Sequence, residues 1–234
     1  MHANRGAVST VYLIAGWSFT VDMWARWLDG IAASKAANIR WVPLDAPAFL
    51  RWMTGASSLS PEGAPWDDGG YAALGWSLGG HLLAESLARG RWRPASAVVV
   101  AASPRFLSDP AMGWPGVSAA ELQALRRRIQ KSPSTALAQF DAWLGLAVTD
   151  LLRERDAAVL CDGLDWLARL DHRACVQDLP LRWLCGDADP LVPDPACLPQ
   201  GAIVIPNAGH GLPFTHQDHL LQALAIVHDR PRID

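Results

Sequence analysis

The chain has 234 residues, of which half are hydrophobic and 18% are charged, and its formal net charge is −3. This length suits one domain, or one domain carrying an insertion, with a sizeable core. The charge balance excludes a generally basic nucleic-acid binder. The apolar run near the N-terminus is too short for a signal sequence or a membrane span, so we expect a cytoplasmic protein that binds neither nucleic acid nor membranes. We expect a monomer whose cysteines are reduced, because their spacing matches neither a C-x-x-C motif nor a metal site.

Short and almost continuous apolar runs alternate with helical stretches along most of the chain. Such runs are typical of the buried strands of a parallel sheet. The helical stretches cover residues 23–33, 78–89 and 217–227. The alternation predicts an open, mostly parallel α/β sheet with right-handed crossovers and helices on both faces. The predicted strands cover residues 11–15, 39–44, 72–75, 97–102, 181–185 and 202–205.

Strand patterns stop between residues 104 and 178. Helix-like stretches take their place at 119–130, 134–146, 150–160 and 161–170, and Ser118 with Glu121 forms a capping-box match at the first of them. This much helix between two sheet strands predicts a lid inserted over the strand ends; a single helical layer packed on the sheet is the alternative. We therefore predict a core of residues 1–103 and 179–234 and a helical lid insertion at 104–178.

The most informative segment, residues 75–80, reads Gly-Trp-Ser-Leu-Gly-Gly and matches G-x-S-x-G. It follows a predicted strand and precedes a predicted helix, which is the setting of a nucleophilic serine on a strained turn. Glycines are needed on either side because a Cβ there would collide with the neighbouring strand and helix. Ser77 is therefore the candidate nucleophile, although a glycine-rich loop with an incidental serine shares the same letters.

A nucleophilic serine needs a histidine base and an acid that orients the base, and in this type of fold they follow in the order serine, acid, histidine. Asp187 and Asp189 follow the predicted strand at 181–185, and His210 follows the strand at 202–205. We favour Asp189 as the acid because the Pro-Leu-Val-Pro segment after it would hold the loop, with Asp187 as a loop-capping residue. The order of these residues predicts a Ser-His-Asp hydrolase.

Backbone N–H groups are the expected donors to the oxyanion. The turn after Ser77 places the Leu78 N–H at a helix N-terminus, and the loop after the first predicted strand offers the N–H of Trp17. Each such donor typically contributes roughly 3 kcal/mol of transition-state stabilisation. Acyl transfer by these groups needs neither a metal nor an organic cofactor.

With these residues assembled, the chain resembles the α/β-hydrolases and, among them, the pimeloyl-acyl-carrier-protein methyl ester esterases. The resemblance implies hydrolysis of a carrier-bound methyl ester, an acyl-carrier protein as partner and a lid of four helices. It also implies triad roles for Ser77, Asp189 and His210, oxyanion roles for Trp17 and Leu78, and a place in the pocket lining for Trp76. The matching segments are residues 74–80, 100–106, 114–116, 162–171 and 189–193, and His210 with the following Pro213 and Phe214.

The chain departs from the family pattern in several places. Ala15 and Gly16 stand where the family has His-Gly, and the D-x-P-G-x-G-x-S loop is replaced by residues 45–50. Ala138 and Ala142 fall where two carrier-docking arginines of the family lid would be. A run of three arginines at 126–128, with Lys131, offers an alternative basic face, although such a run is more often only a solvated helix face.

These departures leave more than one function open. The first hypothesis is an esterase for methyl pimeloyl-carrier protein. The second is a general carboxylesterase for small or aromatic esters, favoured by the 12 tryptophans of the chain and the altered lid. The third is a binding protein that kept the fold and lost turnover.

Overall fold

A parallel sheet of six strands forms the centre of the molecule. The computed structural model describes residues 10–29, 39–55, 71–146, 153–192 and 194–225. The strand order is β2-β1-β3-β4-β5-β6, and every neighbouring pair is parallel. This sheet confirms the predicted α/β architecture. The strands are β1 (Thr10–Ile14), β2 (Arg40–Leu44), β3 (Tyr71–Trp76), β4 (Ser96–Val100), β5 (Leu181–Gly186) and β6 (Ile203–Ile205).

Helices connect the strands, and their ends agree with the predicted ones to within a few residues in most cases. Residues 30–33 and 226–227 of two predicted helices lie outside the described residues. The described helices are α1 (Asp22–Asp29), α2 (Ala46–Met53), α3 (Leu78–Ala88), α4 (Ala119–Lys131), α5 (Pro133–Leu144), α6 (Ala157–Arg169), α7 (Leu212–Thr215) and α8 (Gln217–Ala225).

Hydrophobic clusters lie on both faces of the sheet. Successive side chains of a strand point to opposite faces, so a single strand can contribute to both clusters. On β1, Tyr12 and Ile14 belong to one hydrophobic cluster, while Val11 and Leu13 belong to the other. The first cluster also contains apolar side chains of α2 to α6, and the second contains those of α1 and α8. Helices therefore cover both faces, as predicted. In the described ranges no helix is long and apolar enough to cross a membrane.

The region between β4 and β5 contains α4, α5 and α6, and the capping box at Ser118 and Glu121 is present as predicted. The prediction of two separate helices at 150–160 and 161–170 was wrong, because a single helix, α6, begins at Ala157 and continues to Arg169. The side chain of Asp156 accepts hydrogen bonds from the N–H groups of Ala158 and Val159 and so sets this start. Residues 150–152 lie outside the described part, and Arg153 pairs with Phe19 as an antiparallel bridge instead of continuing a helix.

Helix α2 was not predicted. Asp45 caps it by accepting a hydrogen bond from Ala48 N at 2.5 Å, and a proline occupies its first turn. Residues 45–50, which replace the glycine-rich loop of the family pattern, therefore form the N-cap and first turns of this helix.

The strand order places a crevice at the carboxyl ends of β1 and β3. Because β1 connects to β2 on one side and β3 connects to β4 on the other, the connections leaving these two neighbouring strands run in opposite directions across the sheet. Ligands of open α/β sheets bind at such a reversal. The loop after β1 and the turn after β3 meet there, and these are the segments that carry Trp17 and Ser77.

Candidate active site

Ser77 lies on a sharp turn between β3 and α3. Its backbone has φ 55° and ψ −120°, a conformation that is costly for a residue with a side chain. The turn is held by a hydrogen bond from Ser77 N to Val100 O at 2.8 Å. A Cβ on Gly75 would lie 2.4 Å from Gly79 O, and one on Gly79 would lie 2.4 Å from Ile14 O. Both glycines are therefore required by backbone contacts, as the sequence pattern predicted.

Gly79→Ala is expected to lower the free energy of unfolding by about 2 kcal/mol or more, since the new Cβ meets the backbone of β1, which is paired with a strand on each side. Urea denaturation followed by tryptophan fluorescence measures this change. Gly209→Ala is the matched control, because the nearest atom to its Cβ would be Ala188 O at 3.9 Å. Equal destabilisation by both substitutions would contradict the packing argument.

The structure brings Ser77, His210 and Asp189 together in one hydrogen-bonded chain. His210 Nε2 lies 3.0 Å from Ser77 Oγ, and His210 Nδ1 lies 2.8 Å from Asp189 Oδ2. Asp189 and His210 are only 2% and 3% exposed. The other carboxylate oxygen of Asp189 accepts a hydrogen bond from Leu191 N at 2.9 Å. The carboxylate is thus aimed at the imidazole, and the second imidazole nitrogen at the hydroxyl.

Asp187 has a different place from Asp189. It is exposed, and its Oδ1 accepts a hydrogen bond from Asn207 N at 2.7 Å. Ala188 N also donates to Ala208 O at 3.0 Å, and a Cβ on Gly186 would lie only 1.8 Å from that same oxygen. These contacts tie the loop after β5 to the loop after β6, which brings the Asp189 carboxylate to His210.

The two candidate oxyanion donors belong to segments next to Ser77, since Leu78 follows it and a Cβ on Gly16, the residue before Trp17, would lie 3.3 Å from Ser77 Cβ. Leu78 is the first residue of α3, so its N–H is among those that a helix leaves without an internal partner. Neither Leu78 N nor Trp17 N donates to a backbone carbonyl within the described residues. The Trp17 indole Nε1 donates to Leu160 O at 2.8 Å, which anchors the loop after β1 to α6.

Trp76 precedes the serine and supports the histidine. Its Nε1 donates to His210 O at 3.0 Å, and its ring lies against Phe19 with centroids 4.7 Å apart. The indole is 1% exposed. It lines the cavity around Ser77, and its hydrogen bond also holds the His210 backbone, a role that the sequence did not indicate.

A small, mainly apolar cavity of about 20 Å³, here called the serine chamber, surrounds the hydroxyl. Besides Ser77, His210 and Trp76, it is lined by apolar side chains of the loop after β1 and of α4 to α6, among them Trp17, Phe19, Leu125, Phe140, Leu144 and Leu164. The residues from α4 to α6 were not identified from the sequence, because their presence in the chamber depends on how these helices pack.

Two larger cavities of about 170 Å³ each adjoin the serine chamber. The α4–α5 cavity shares Phe106, Leu125 and Phe140 with the chamber and reaches Arg128 and Gln139. The α2–α6 cavity shares Trp17 and Phe19 with the chamber and reaches Arg51 and Asp162. Both larger cavities therefore share part of their lining with the chamber.

His81, which follows Ser77 closely in sequence, does not join the hydrogen-bonded chain. It is buried against Phe106 and His172, and this burial lowers its pKa to about 3, so the ring is neutral at physiological pH. His172 lies 3.0 Å from Glu85 on the same side of α3.

Within the described ranges, no three His, Cys, Asp or Glu side chains are grouped so as to hold a metal ion.

Sequence comparison finds relatives over nearly the whole chain. It is 29% identical over 249 residues to a pimeloyl-[acyl-carrier protein] methyl ester esterase of Pectobacterium carotovorum, covering 92% of each chain. It is 27% identical over 252 residues to the protein of the same name from Edwardsiella ictaluri, covering 95% of this chain and 94% of the relative. No family model matches the chain.

Structural comparison finds esterases of the same fold. The esterase EaEST from Exiguobacterium antarcticum superposes with a TM-score of 0.70 at 15% identity, covering 95% of this chain and 93% of that one. The enol-lactonase from Burkholderia xenovorans superposes with a TM-score of 0.66 at 13% identity, covering 97% and 93%. The chain therefore has the α/β-hydrolase fold and resembles the pimeloyl-acyl-carrier-protein methyl ester esterases in sequence, as predicted.

Proposed function

We propose that the protein is a serine carboxylesterase that hydrolyses the methyl ester of a pimeloyl chain bound to an acyl-carrier protein, a step of biotin precursor synthesis. The observation that supports ester hydrolysis is the hydrogen-bonded chain Ser77–His210–Asp189, which opens into an apolar chamber. The names of the sequence relatives support the choice of substrate. An acyl-carrier protein is the proposed partner, while a cytoplasmic location, a monomeric state and catalysis without a cofactor stay predictions.

In the first step, Ser77 Oγ attacks the ester carbonyl while His210 Nε2 takes the hydroxyl proton. The carbonyl oxygen becomes an oxyanion, which accepts hydrogen bonds from the N–H groups of Trp17 and Leu78. Asp189 holds the imidazole by its Nδ1 and stabilises the positive charge that forms there. The C–O bond to the alcohol then breaks, His210 returns its proton to the leaving oxygen, and methanol departs.

In the second step, a water molecule attacks the acyl-enzyme. His210 takes a proton from the water, the tetrahedral intermediate forms in the same oxyanion site, and the bond to Ser77 Oγ breaks as the serine regains its proton. The products of the two steps are methanol and a free carboxylic acid. The atoms balance without an oxidant, a reductant or a metal.

We further propose that residues 104–178 act as a lid over Ser77. Leu125 on α4, Phe140 and Leu144 on α5, and Leu164 on α6 all line the serine chamber. These side chains exclude water from the oxyanion site, which strengthens its hydrogen bonds.

The cavities suggest how a carrier-bound chain would lie. The serine chamber is small, which suits the methyl end of the substrate. The chain would then run through the α4–α5 cavity to Arg128 at its edge. Arg127, Arg128 and Lys131 are exposed on α4 and form a basic face that an acidic carrier protein would contact. Arg126 is not part of this face, because it pairs with Asp165 on α6.

A general esterase for small or aromatic esters is the second candidate. The small volume of the serine chamber and its aromatic lining favour it. A binding protein without turnover is the third candidate. This function does not explain why three side chains from separate loops are aligned by hydrogen bonds of 2.8 and 3.0 Å.

The decisive experiment is release of free acid from methyl pimeloyl-carrier protein, with a small p-nitrophenyl ester assayed alongside and a reactive-serine probe as a third measurement. We expect rapid turnover of the carrier-bound ester and labelling of Ser77. Turnover of the small ester alone would favour the second candidate. Absence of both turnover and labelling would favour the binding protein.

Arg128→Glu is expected to raise KM for the carrier-bound ester about tenfold, because it places a negative charge in the path of an acidic partner. The same variant should change KM for the p-nitrophenyl ester less than twofold. Arg169→Glu is the matched control, since it makes the same charge change at an exposed arginine of α6 outside the α4–α5 cavity. Equal effects of the two variants on carrier-bound substrate would refute docking at this face.

A further inference from the structure

Arg153 is a charged residue buried between α5 and the loop after β1. Only 3% of its side chain is exposed. One guanidinium nitrogen donates to the carboxylate of Asp141 on α5, and another donates to the hydroxyl of Ser18. The backbone joins the same contact, because Arg153 bridges Phe19 and Glu154 N donates to Ser18 O at 2.7 Å.

The guanidinium also lies over an aromatic ring, with its Cζ 3.6 Å from the centroid of Phe19. Such a cation–π contact is strengthened by the absence of water. Burial lowers the pKa of Arg153 to about 9, so the group still carries its charge at neutral pH. Its Nε has no acceptor within the described residues. Burying a cation without an acceptor for each of its N–H groups costs free energy of folding, and apolar side chains could join the two segments without that cost.

The residues that Arg153 contacts follow Trp17 directly. Ser18 has a φ of 68°, in the left-handed region that only a few non-glycine residues occupy. A conformation of this kind persists only where the surroundings hold it. Arg153 supplies contacts to Ser18 through its side chain and its neighbour's backbone, and to Phe19 through its charge. Trp17 is thus anchored to α6 through Leu160, and the two residues that follow it are held by Arg153.

We propose that Arg153 is a positioning residue: by holding Ser18 and Phe19 it orients the Trp17 N–H towards the developing oxyanion. Its ion pair with Asp141 links the orientation of this N–H to the position of α5. The inference rests on the proposed ester hydrolysis but not on the identity of the ester. Loss of one oxyanion donor lowers kcat by about 100- to 1000-fold. A donor that is misdirected and not lost should cost less, so Arg153→Met is expected to lower kcat about 10- to 100-fold.

The test uses the p-nitrophenyl ester and counts active sites with an irreversible serine probe, so that misfolded protein does not enter kcat. The second readout is the inhibition constant of a trifluoromethyl ketone, which forms an oxyanion on Ser77. The matched control is Arg126→Met, which removes another lid arginine from an ion pair, with Asp165, that does not touch the loop after β1. Ser18→Ala removes one contact of Arg153 without leaving a buried charge alone.

We expect Arg153→Met to lower kcat per labelled site and to weaken trifluoromethyl ketone binding by similar factors, with KM changed less than threefold. Ser18→Ala should lower kcat several-fold, and its effect should largely disappear in the Arg153→Met background. Arg153→Lys, which keeps the charge, should restore part of the rate. Arg126→Met should leave kcat per labelled site within twofold of wild type.

A different result would overturn the inference. If Arg153→Met lowers only the melting temperature, while kcat per labelled site and the inhibition constant stay within twofold, Arg153 has a structural role alone. If Arg153→Met does not fold, an unchanged kcat in Ser18→Ala leads to the same conclusion. The carrier-bound ester is assayed on wild-type protein in the same series, and its failure to react would refute the proposed substrate without affecting the result for Arg153.

Discussion

Ser77→Ala is expected to lower kcat about 10⁴-fold or more, because it removes the atom that forms the acyl-enzyme. The fold should not change. The Ser77 hydroxyl makes no capping hydrogen bond to α3, and its contact within the described residues is with His210. Alanine accepts the positive φ no worse than serine does. The measurement is release of acid from both the carrier-bound and the small ester, with the melting temperature recorded for each protein.

Ser86→Ala is the matched control for this variant. Ser86 is a fully buried serine on the same helix, and its hydroxyl donates to Leu83 O at 2.8 Å. Its replacement should leave kcat within threefold and lower the melting temperature by a few degrees at most. A Ser77→Ala protein that keeps more than about a hundredth of the wild-type rate would refute the nucleophile assignment, whatever its substrate.

The turn that carries Ser77 could be predicted from sequence because its signature, a serine between two glycines after an apolar run, lies within a few consecutive residues. Gly75 and Gly79 lie two residues from the serine on either side. The atom that excludes a Cβ from Gly75 is Gly79 O in the same turn, whereas the atom that excludes one from Gly79 is Ile14 O in the neighbouring strand β1. The strands were predictable for a similar reason, since a strand buried on both faces is apolar at every position and needs no long-range information. The order of serine, aspartate and histidine then follows from the order of the strand ends.

Contacts between distant segments could not be predicted in this way. Arg153 lies in a region that reads as helical, yet it bridges Phe19, more than a hundred residues earlier. The start of α6 depends on the cap at Asp156, which competed with the helical pattern before it. Which side chains of α4 to α6 reach the serine chamber depends on how these helices cross, and the spacing of apolar residues along one helix does not contain that information.

The choice between Asp187 and Asp189 could be predicted only in part from the sequence. The sequence placed both carboxylates after β5, and the proline-rich segment that follows favoured Asp189. The structure places Asp189 against His210 Nδ1 and Asp187 against the backbone of Asn207. The two residues therefore form a matched pair, close in sequence and chemically identical, in which only one contacts the imidazole.

Asp189→Asn is expected to lower kcat about 10³- to 10⁴-fold with little change in KM. An asparagine fits the same space, but its amide no longer carries the negative charge that stabilises the imidazolium, and its NH₂ group can donate to Nδ1. His210 would then hold its proton on Nε2, where it cannot accept the proton of Ser77. Single-turnover acylation by the p-nitrophenyl ester measures this step directly.

Asp187→Asn should change kcat less than threefold, because the amide oxygen of asparagine can still accept the hydrogen bond from Asn207 N. Its effect should appear in the stability of the two joined loops, as a modest fall in the melting temperature. The pair is informative because a general disturbance of this edge of the sheet would affect both variants alike. A larger loss of kcat in Asp187→Asn than in Asp189→Asn would exchange their roles, since the acid that orients His210 is the one whose charge the acylation step requires.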